Sequence, residues 1–230
     1  MSHYYRRLIQ VGISQDGLAL WCDASKAASY PGSGTTWTDI TGGNNGTLIN
    51  GVGYSSSDGG VLTFDGSNDY VDFGTFGNYT SGDFSFMLWI KFNSVATNQT
   101  IFYKGSLNIN GYYFQMRTAT KDLVFYTSQT GSQQYSLTAS NEVAANSWYN
   151  ITIVRSGASV KIYKNGVDRT ATSGTHINPT STFNNLQLGR HQTAGQVVNG
   201  SIGEFENWNR ALTATEVLNN FNATKSRYGL

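Results

Sequence analysis

The chain has 230 residues, a formal net charge of +1, and only 13% charged residues, against about a quarter in ordinary domains. No Lys/Arg cluster is long enough to form a basic footprint, which excludes nucleic-acid binding. No apolar run approaches the ~18 residues of a membrane span, so membrane insertion is not expected.

Residues 1–12 hold Tyr4, Tyr5, Arg6 and Arg7 and show no sustained pattern, so they read as an N-terminal arm. Only Leu8, Ile9 and Val11 follow the arginines before Gly12, too short for an export-signal core. Synthesis in a cytoplasm without a cleaved signal is the expectation. Leu18–Asp23 is the first strand, and Cys22, the sole cysteine, reads as a small buried hydrophobe. Residues 23–50 are rich in turn formers, with Trp37–Ile40 as a short anchored piece and Thr47–Ile49 as a short strand. Val61–Phe64 and Tyr70–Phe73 flank Asp65-Gly66-Ser67-Asn68-Asp69 and predict a hairpin with an acidic loop. Phe84–Phe92 alternates strongly and predicts a central strand, with Thr100–Lys104 pairing after it. Residues 112–117, 123–126 and 134–137 continue the short strands.

Trp148–Arg169 is the clearest stretch. Ile151 and Ile153 fall on one face, Trp148 and Val154 on the other, and Asn165-Gly166 fits a type I′ turn. Leu186–Arg190 and Gly200–Trp208 complete the strands. Thr213 and Glu216 form a capping box for one short helix of about two turns, with Val217, Leu218 and Phe221 as its apolar face. With 39% hydrophobic residues, only 2 Pro and no linker, the chain predicts one all-β domain over residues 13–230. Its architecture is a two-sheet antiparallel β-sandwich.

The order of GLALW (17–21), FDGSNDYVDFG (64–74), FSFMLWIKF (84–92), WYNITIVRSGASVKIYKNG (148–166), LQLGR (186–190) and GSIGEFENWNRALTATEV (200–217) resembles the laminin-G-like branch of the concanavalin A-like lectin/glucanase superfamily. The resemblance implies a jelly roll in which the first and last strands lie side by side. The flanks 29–51 and 209–230 resemble lectin-like virion structural proteins of tailed bacteriophages. That resemblance implies a capsid decoration or a fibre or tail component, located on the virion. Its partners would be other virion proteins, copies of itself and host-surface polysaccharide.

The candidate chemistry has three parts. Glycosidases of this superfamily place alternating carboxylates along one strand. Glu204 and Glu206 share a face, but Trp208 stands where the third acid belongs, and a solvated face is expected for both. The superfamily's lyases use His and Tyr with Gln or Arg. Tyr112, Tyr113, Gln115 and Arg117, with His176 or His191, fit that only superficially. No catalytic residue is assigned and an enzyme is not expected. For metal, Asp65, Asn68, Asp69 and Asp72 offer hard oxygen ligands without EF-hand spacing, and the first three are the candidates for a structural calcium (Ca2+). Several relatives hold calcium where the terminal strands meet, using an acid in the last strand. This chain has Gly203 at that position, and no cofactor is required. For glycan binding, the loop aromatics Tyr30, Trp37, Tyr54, Phe76 and Tyr79 are the candidates. Tyr4, Tyr5, Arg6 and Arg7 are the candidates for virion attachment, as Tyr and Arg are frequent at binding hot spots.

Overall fold

The structure is a computed structural model that describes residues 12–191 and 195–230. The strands in chain order are β1 (Leu18–Asp23), β2 (Thr36–Trp37), β3 (Gly46–Ile49), β4 (Gly53–Ser55), β5 (Val61–Asp65) and β6 (Tyr70–Asp72). There follow β7 (Phe84–Phe92), β8 (Gln99–Ser106), β9 (Asn110–Arg117), β10 (Asp122–Gln129), β11 (Ser132–Thr138) and β12 (Trp148–Ser156). The last are β13 (Ser159–Lys164), β14 (Val167–Asp168), β15 (Thr170–Ser173), β16 (Gln187–Leu188) and β17 (Asn199–Trp208), before helix α1 (Ala214–Thr224).

They form two antiparallel sheets. The first runs β14-β13-β12-β7-β17-β5-β4, with β1 also beside β17, and the second runs β15-β11-β10-β9-β8-β16-β6-β3-β2. Strand β17 is ten residues long and takes two partners on one edge. Its first half pairs with β5, and its second half pairs with β1 in a register that sets Glu204 opposite Asp23. First and last strands therefore lie side by side, as the resemblance implies.

Period two builds the core. From β7, Phe84, Phe86, Leu88, Ile90 and Phe92 point between the sheets and meet Phe102, Tyr112, Phe114 and Phe125 of the second sheet. Phe86 lies 4.9 Å from Phe102, and Phe84 lies 5.3 Å from Tyr112. Each such side chain contributes about 1.5–3 kcal/mol on burial, which makes β7 the central strand that its alternation predicts. Ile151 and Ile153 join this core, while Val154 and Trp148 face outward. Asn165 and Gly166, with φ of 53° and 77°, make the tight turn between β13 and β14.

Two pairings differ from expectation. β5 and β6 do not form a hairpin: β5 belongs to the first sheet and β6 to the second, so residues 66–69 carry the chain across the sandwich. Likewise β8 pairs with β9 and β16, not with β7. A turn between two apolar runs is equally compatible with a hairpin and with an arch between sheets.

The outer face of the first sheet is covered. Helix α1 is capped by Thr213 and Glu216 and runs 11 residues, longer than the predicted two turns. It buries Val217 and Asn220 and leaves Leu218 exposed. Val217 packs with Met87, Val154, Tyr163, Trp208 and Leu212. The tail beyond the helix lays Tyr228 on Trp89, with ring centroids 4.0 Å apart, and beside Trp148 at 4.7 Å. Among the described residues, the outer face of the second sheet carries no helix.

Candidate functional site

The paired acids of β17 are not on a solvated face. Glu204 is 1% exposed and Glu206 is 0% exposed. Arg227 reaches over them from the tail, donating to Asp23 at 2.7 Å and to Glu204 at 2.8 Å, and the Tyr228 hydroxyl donates to Glu204 at 3.0 Å. One guanidinium thus faces three carboxyls. Burial and the neighbouring Glu204 push Glu206 well above the usual carboxylate range, and burial and Asp23 push Glu204 up as well. With a proton on Glu206 the pair becomes donor and acceptor, which satisfies oxygens that otherwise have no partner. A glycosidase needs its two carboxyls in contact with substrate, and no sugar reaches these.

The same place fails as a calcium site. A Cβ on Gly203 would run into the Tyr228 hydroxyl, so an acid there is incompatible with the tail. The space between Asp23 and Glu204 is filled by Arg227. The loop acids make local turn bonds, although Oδ1 of Asp69 is buried without a hydrogen-bond partner among the described residues. The Asp65 carboxylate accepts from Ser67 N–H at 2.7 Å, Asp69 accepts from Asp65 N–H at 3.0 Å, and the Asn68 carbonyl accepts from Asn50. Among the described residues, no group of three or more acids, His or Cys is placed to hold a metal.

The second sheet gives a different picture on its outer face. Register brings Tyr135 of β11, Tyr126 of β10, Tyr113 of β9 and Tyr103 of β8 into one row across the strands. The row continues through Gln187 of β16 and Asp72 of β6. Tyr113 and Tyr126 stack at 4.3 Å, and the flanking pairs are 6.0 Å apart. Access grades along the row. Tyr103 and Tyr113 are nearly buried, Tyr126 is half-buried and Tyr135 is 47% exposed. The ring of His191 lies 4.5 Å from Tyr103.

At the polar end of the row is a cleft of about 260 Å³ lined by Tyr103, Asn184, Asn185, Gln187 and Arg190. Gln187 donates to Asp72 at 3.0 Å and accepts from Arg190 Nε at 3.0 Å. Asn185 donates to the other Asp72 oxygen at 2.9 Å. Beneath it the ammonium of Lys104 donates to the carbonyls of Asn184 at 2.7 Å and Thr75 at 3.1 Å. Burial pushes Lys104 down to about 8, partly offset by Asp72.

The residues singled out in the sequence do not converge. Trp37 is 0% exposed, Tyr30 is buried, and both belong to the main core. Phe76 and Tyr79 pack on that core from outside, and Tyr79 bonds to Asn207. Only Tyr54 keeps an exposed ring, and it lies 5.5 Å from Tyr30 at the edge of the first sheet. Residues 112–117 split by period two. Tyr112 turns into the core and donates to the Gly77 carbonyl, whereas Tyr113, Gln115 and Arg117 face outward, with Arg117 bound to Asp122. His176 is buried between Thr127 and Ser136, and burial with the nearby Arg155 lowers it to about 4. Tyr4, Tyr5, Arg6 and Arg7 lie outside the described residues. Gln187 and Arg190 stand within the LQLGR motif, but nothing in that motif alone shows which strands flank it.

Residues 65–218 match a family model described as the concanavalin A-like lectin/glucanases superfamily, of the laminin-G type. Many solved structures share the fold, three of them as follows. Domain 4 of an extracellular arabinanase from Geobacillus stearothermophilus, solved with arabinotriose, is 17% identical with a TM-score of 0.63, over 92% of this chain and 100% of that one. The binding domain of Paraclostridial mosquitocidal protein 1 is 16% identical with a TM-score of 0.71, over 90% of this chain and 52% of that one. A Trypanosoma rangeli sialidase is 15% identical with a TM-score of 0.65, over 92% of this chain and 33% of that one. The chain thus spans all of the arabinanase domain but about half and a third of the other two. No curated protein sequence is significantly similar to it.

Proposed function

The chain belongs to the concanavalin A-like lectin/glucanase superfamily, and on that premise we propose that it binds carbohydrate on the outer face of the second sheet, without cleaving it. The observation that carries this is the in-register row of tyrosines ending in an amide-lined cleft. Sugars are held by aromatic faces together with amide and guanidinium hydrogen bonds; here the tyrosines and Gln187 sit on strands, and Asn184, Asn185 and Arg190 sit in the segments flanking β16. Absence of cleavage is supported by the carboxylates. Among the described residues Asp72 is the one carboxylate in the row, and hydrolysis needs two acids.

The resemblance of residues 29–51 and 209–230 to phage lectin-like proteins supports a setting on a virion, as a capsid decoration or a fibre or tail part. Co-purification with particles in fixed stoichiometry tests that setting by itself. A second reading, eliminative cleavage of a polysaccharide, is favoured by the contact of His191 with Tyr103. Against it, burial pushes Tyr103 up to about 12, the wrong direction for a base.

The test is titration of a glycan panel against the protein and against Tyr126→Ala and Gln187→Ala. Binding that weakens in both variants and survives Tyr54→Ala supports the proposal. Binding that follows Tyr54 instead moves the site to the edge of the first sheet.

A further inference from the structure

Arg190 differs from every other arginine described. Arg117, Arg169, Arg210 and Arg227 each bind a carboxylate. Arg155 is buried against the Gly82 carbonyl and Asn178. Arg190 is partly exposed, forms no ion pair, and lines the cleft. It is nevertheless held in place. Its guanidinium carbon lies 3.5 Å from the centre of the Tyr70 ring, and its Nε donates to Gln187 at 3.0 Å. Among the described residues no acceptor is bonded to its two terminal nitrogens, so that edge of the fork is pre-oriented and unspent.

The surrounding charges do not cancel it. Asp72 accepts from Gly74 N–H, Asn185 and Gln187, which uses both its oxygens, and the Lys104 ammonium behind Asn184 offsets its charge. Burial lowers His191, which leaves it neutral at pH 7. Among the described residues one positive charge therefore remains in the cleft, on a fork whose planar geometry matches two oxygens of one anionic group.

We propose that this cleft selects an anionic sugar, one bearing a carboxylate or a sulfate ester, with Arg190 as the specificity-determining residue. The proposal rests on the carbohydrate reading of the open face. The amides then fix the ring hydroxyls, Tyr126 and Tyr135 offer stacking to the next units along the row, and the anion takes the free edge of Arg190. A neutral sugar would leave that edge facing water, so discrimination is lost without being reversed.

The experiment compares three probes by calorimetry on the full chain: an oligogalacturonate, its methyl ester, and a sulfated galactan oligosaccharide. The ester keeps the ring and removes the charge. If the proposal holds, one of the charged probes binds at least about tenfold tighter than the ester, roughly the 1.4 kcal/mol of one charge-assisted pair. Arg190→Gln removes that difference, Arg190→Lys keeps part of it, and Lys161→Gln, a surface cation elsewhere, leaves it intact. Which charged probe wins identifies carboxylate or sulfate. Equal binding of the ester and both charged probes, or an anion preference untouched by Arg190→Gln, overturns the proposal while leaving carbohydrate binding standing. No binding by any probe or by a wider glycan panel overturns both.

Discussion

The two sheets begin alike and end differently. Each presents an outer row of side chains set by period two, and each row contains groups suited to chemistry. On the first sheet the row holds Glu204 and Glu206 with Asp23 alongside, and the helix and tail close over it until both glutamates are buried. On the second sheet the row holds Tyr126, Tyr135 and Gln187, with Arg190 in the adjoining cleft, and no helix among the described residues covers it. The comparison teaches that residue type and spacing nominate a site, and access decides it. The carboxyls have the i, i+2 spacing of a catalytic pair, yet their chemistry is spent on holding the C-terminus down.

The largest effect should come from uncapping the closed row. Arg227→Ala removes the one guanidinium shared by Asp23 and Glu204, and breaking a buried pair typically costs about 3–5 kcal/mol. Urea unfolding measures the loss, and glycan affinity below the melting temperature should stay unchanged. A loss under about 1 kcal/mol would mean that the tail does not secure this face.

The carboxyl pair should make stability fall as pH rises. Glu206 has a folded pKa well above its ordinary 4.5, so its stabilisation is fully present below 4.5 and is lost as pH rises toward the folded value. Groups with lowered values, His191 and several paired carboxylates among them, oppose this outside a middle window. His176, lowered from 6.5 to about 4, adds stability as pH rises to 6.5, and Lys104, lowered from 10.5 to about 8, adds it above 8. Between roughly pH 6.5 and 8 the carboxyl contribution is therefore cleanest, with a slope up to about 1.4 kcal/mol per unit. Glu206→Gln should flatten the decline in melting temperature across that window and raise stability at its upper end. An unchanged slope would show that Glu206 is ionised in the fold.

On the open row the cost should shift from stability to binding. Tyr126→Ala removes a half-exposed ring stacked on Tyr113, worth about 1 kcal/mol to the sheet, and should weaken glycan binding several-fold. A variant as destabilised as Arg227→Ala would place Tyr126 in the core. The smallest effect expected is in catalysis. Polyuronate, laminarin and sulfated galactan should yield neither reducing ends nor unsaturated product. Product formation that disappears in a His191→Ala variant would replace binding with eliminative cleavage.

Local signals were legible in the chain itself. The alternation in Phe84–Phe92, the turn at Asn165-Gly166 and the capping box at Thr213 each act within a few residues, and each element forms where expected. Pairing across the sandwich was not. Nothing within residues 61–73 distinguishes a hairpin from an arch, because the choice depends on β17 offering an edge to β5 and on β3 and β16 bracketing β6. The tyrosine row is hidden for the same reason: its members come from four strands, and only register aligns them. Tyr30 and Trp37 read as loop residues by their glycine-rich surroundings, yet both fill the core. Glu204 and Glu206 read as solvated, because a tail more than twenty residues on supplies the arginine that buries them.

The central claim is that the open face of the second sheet binds and the closed face of the first only supports. Amide chemical-shift mapping during titration with a bound glycan tests it most directly. The account predicts shifts concentrated in β8, β9, β10, β11 and β16 and at Arg190, with β1, β17 and α1 unmoved. Shifts centred on Tyr54, on residues 203–206 or on the helix would contradict it.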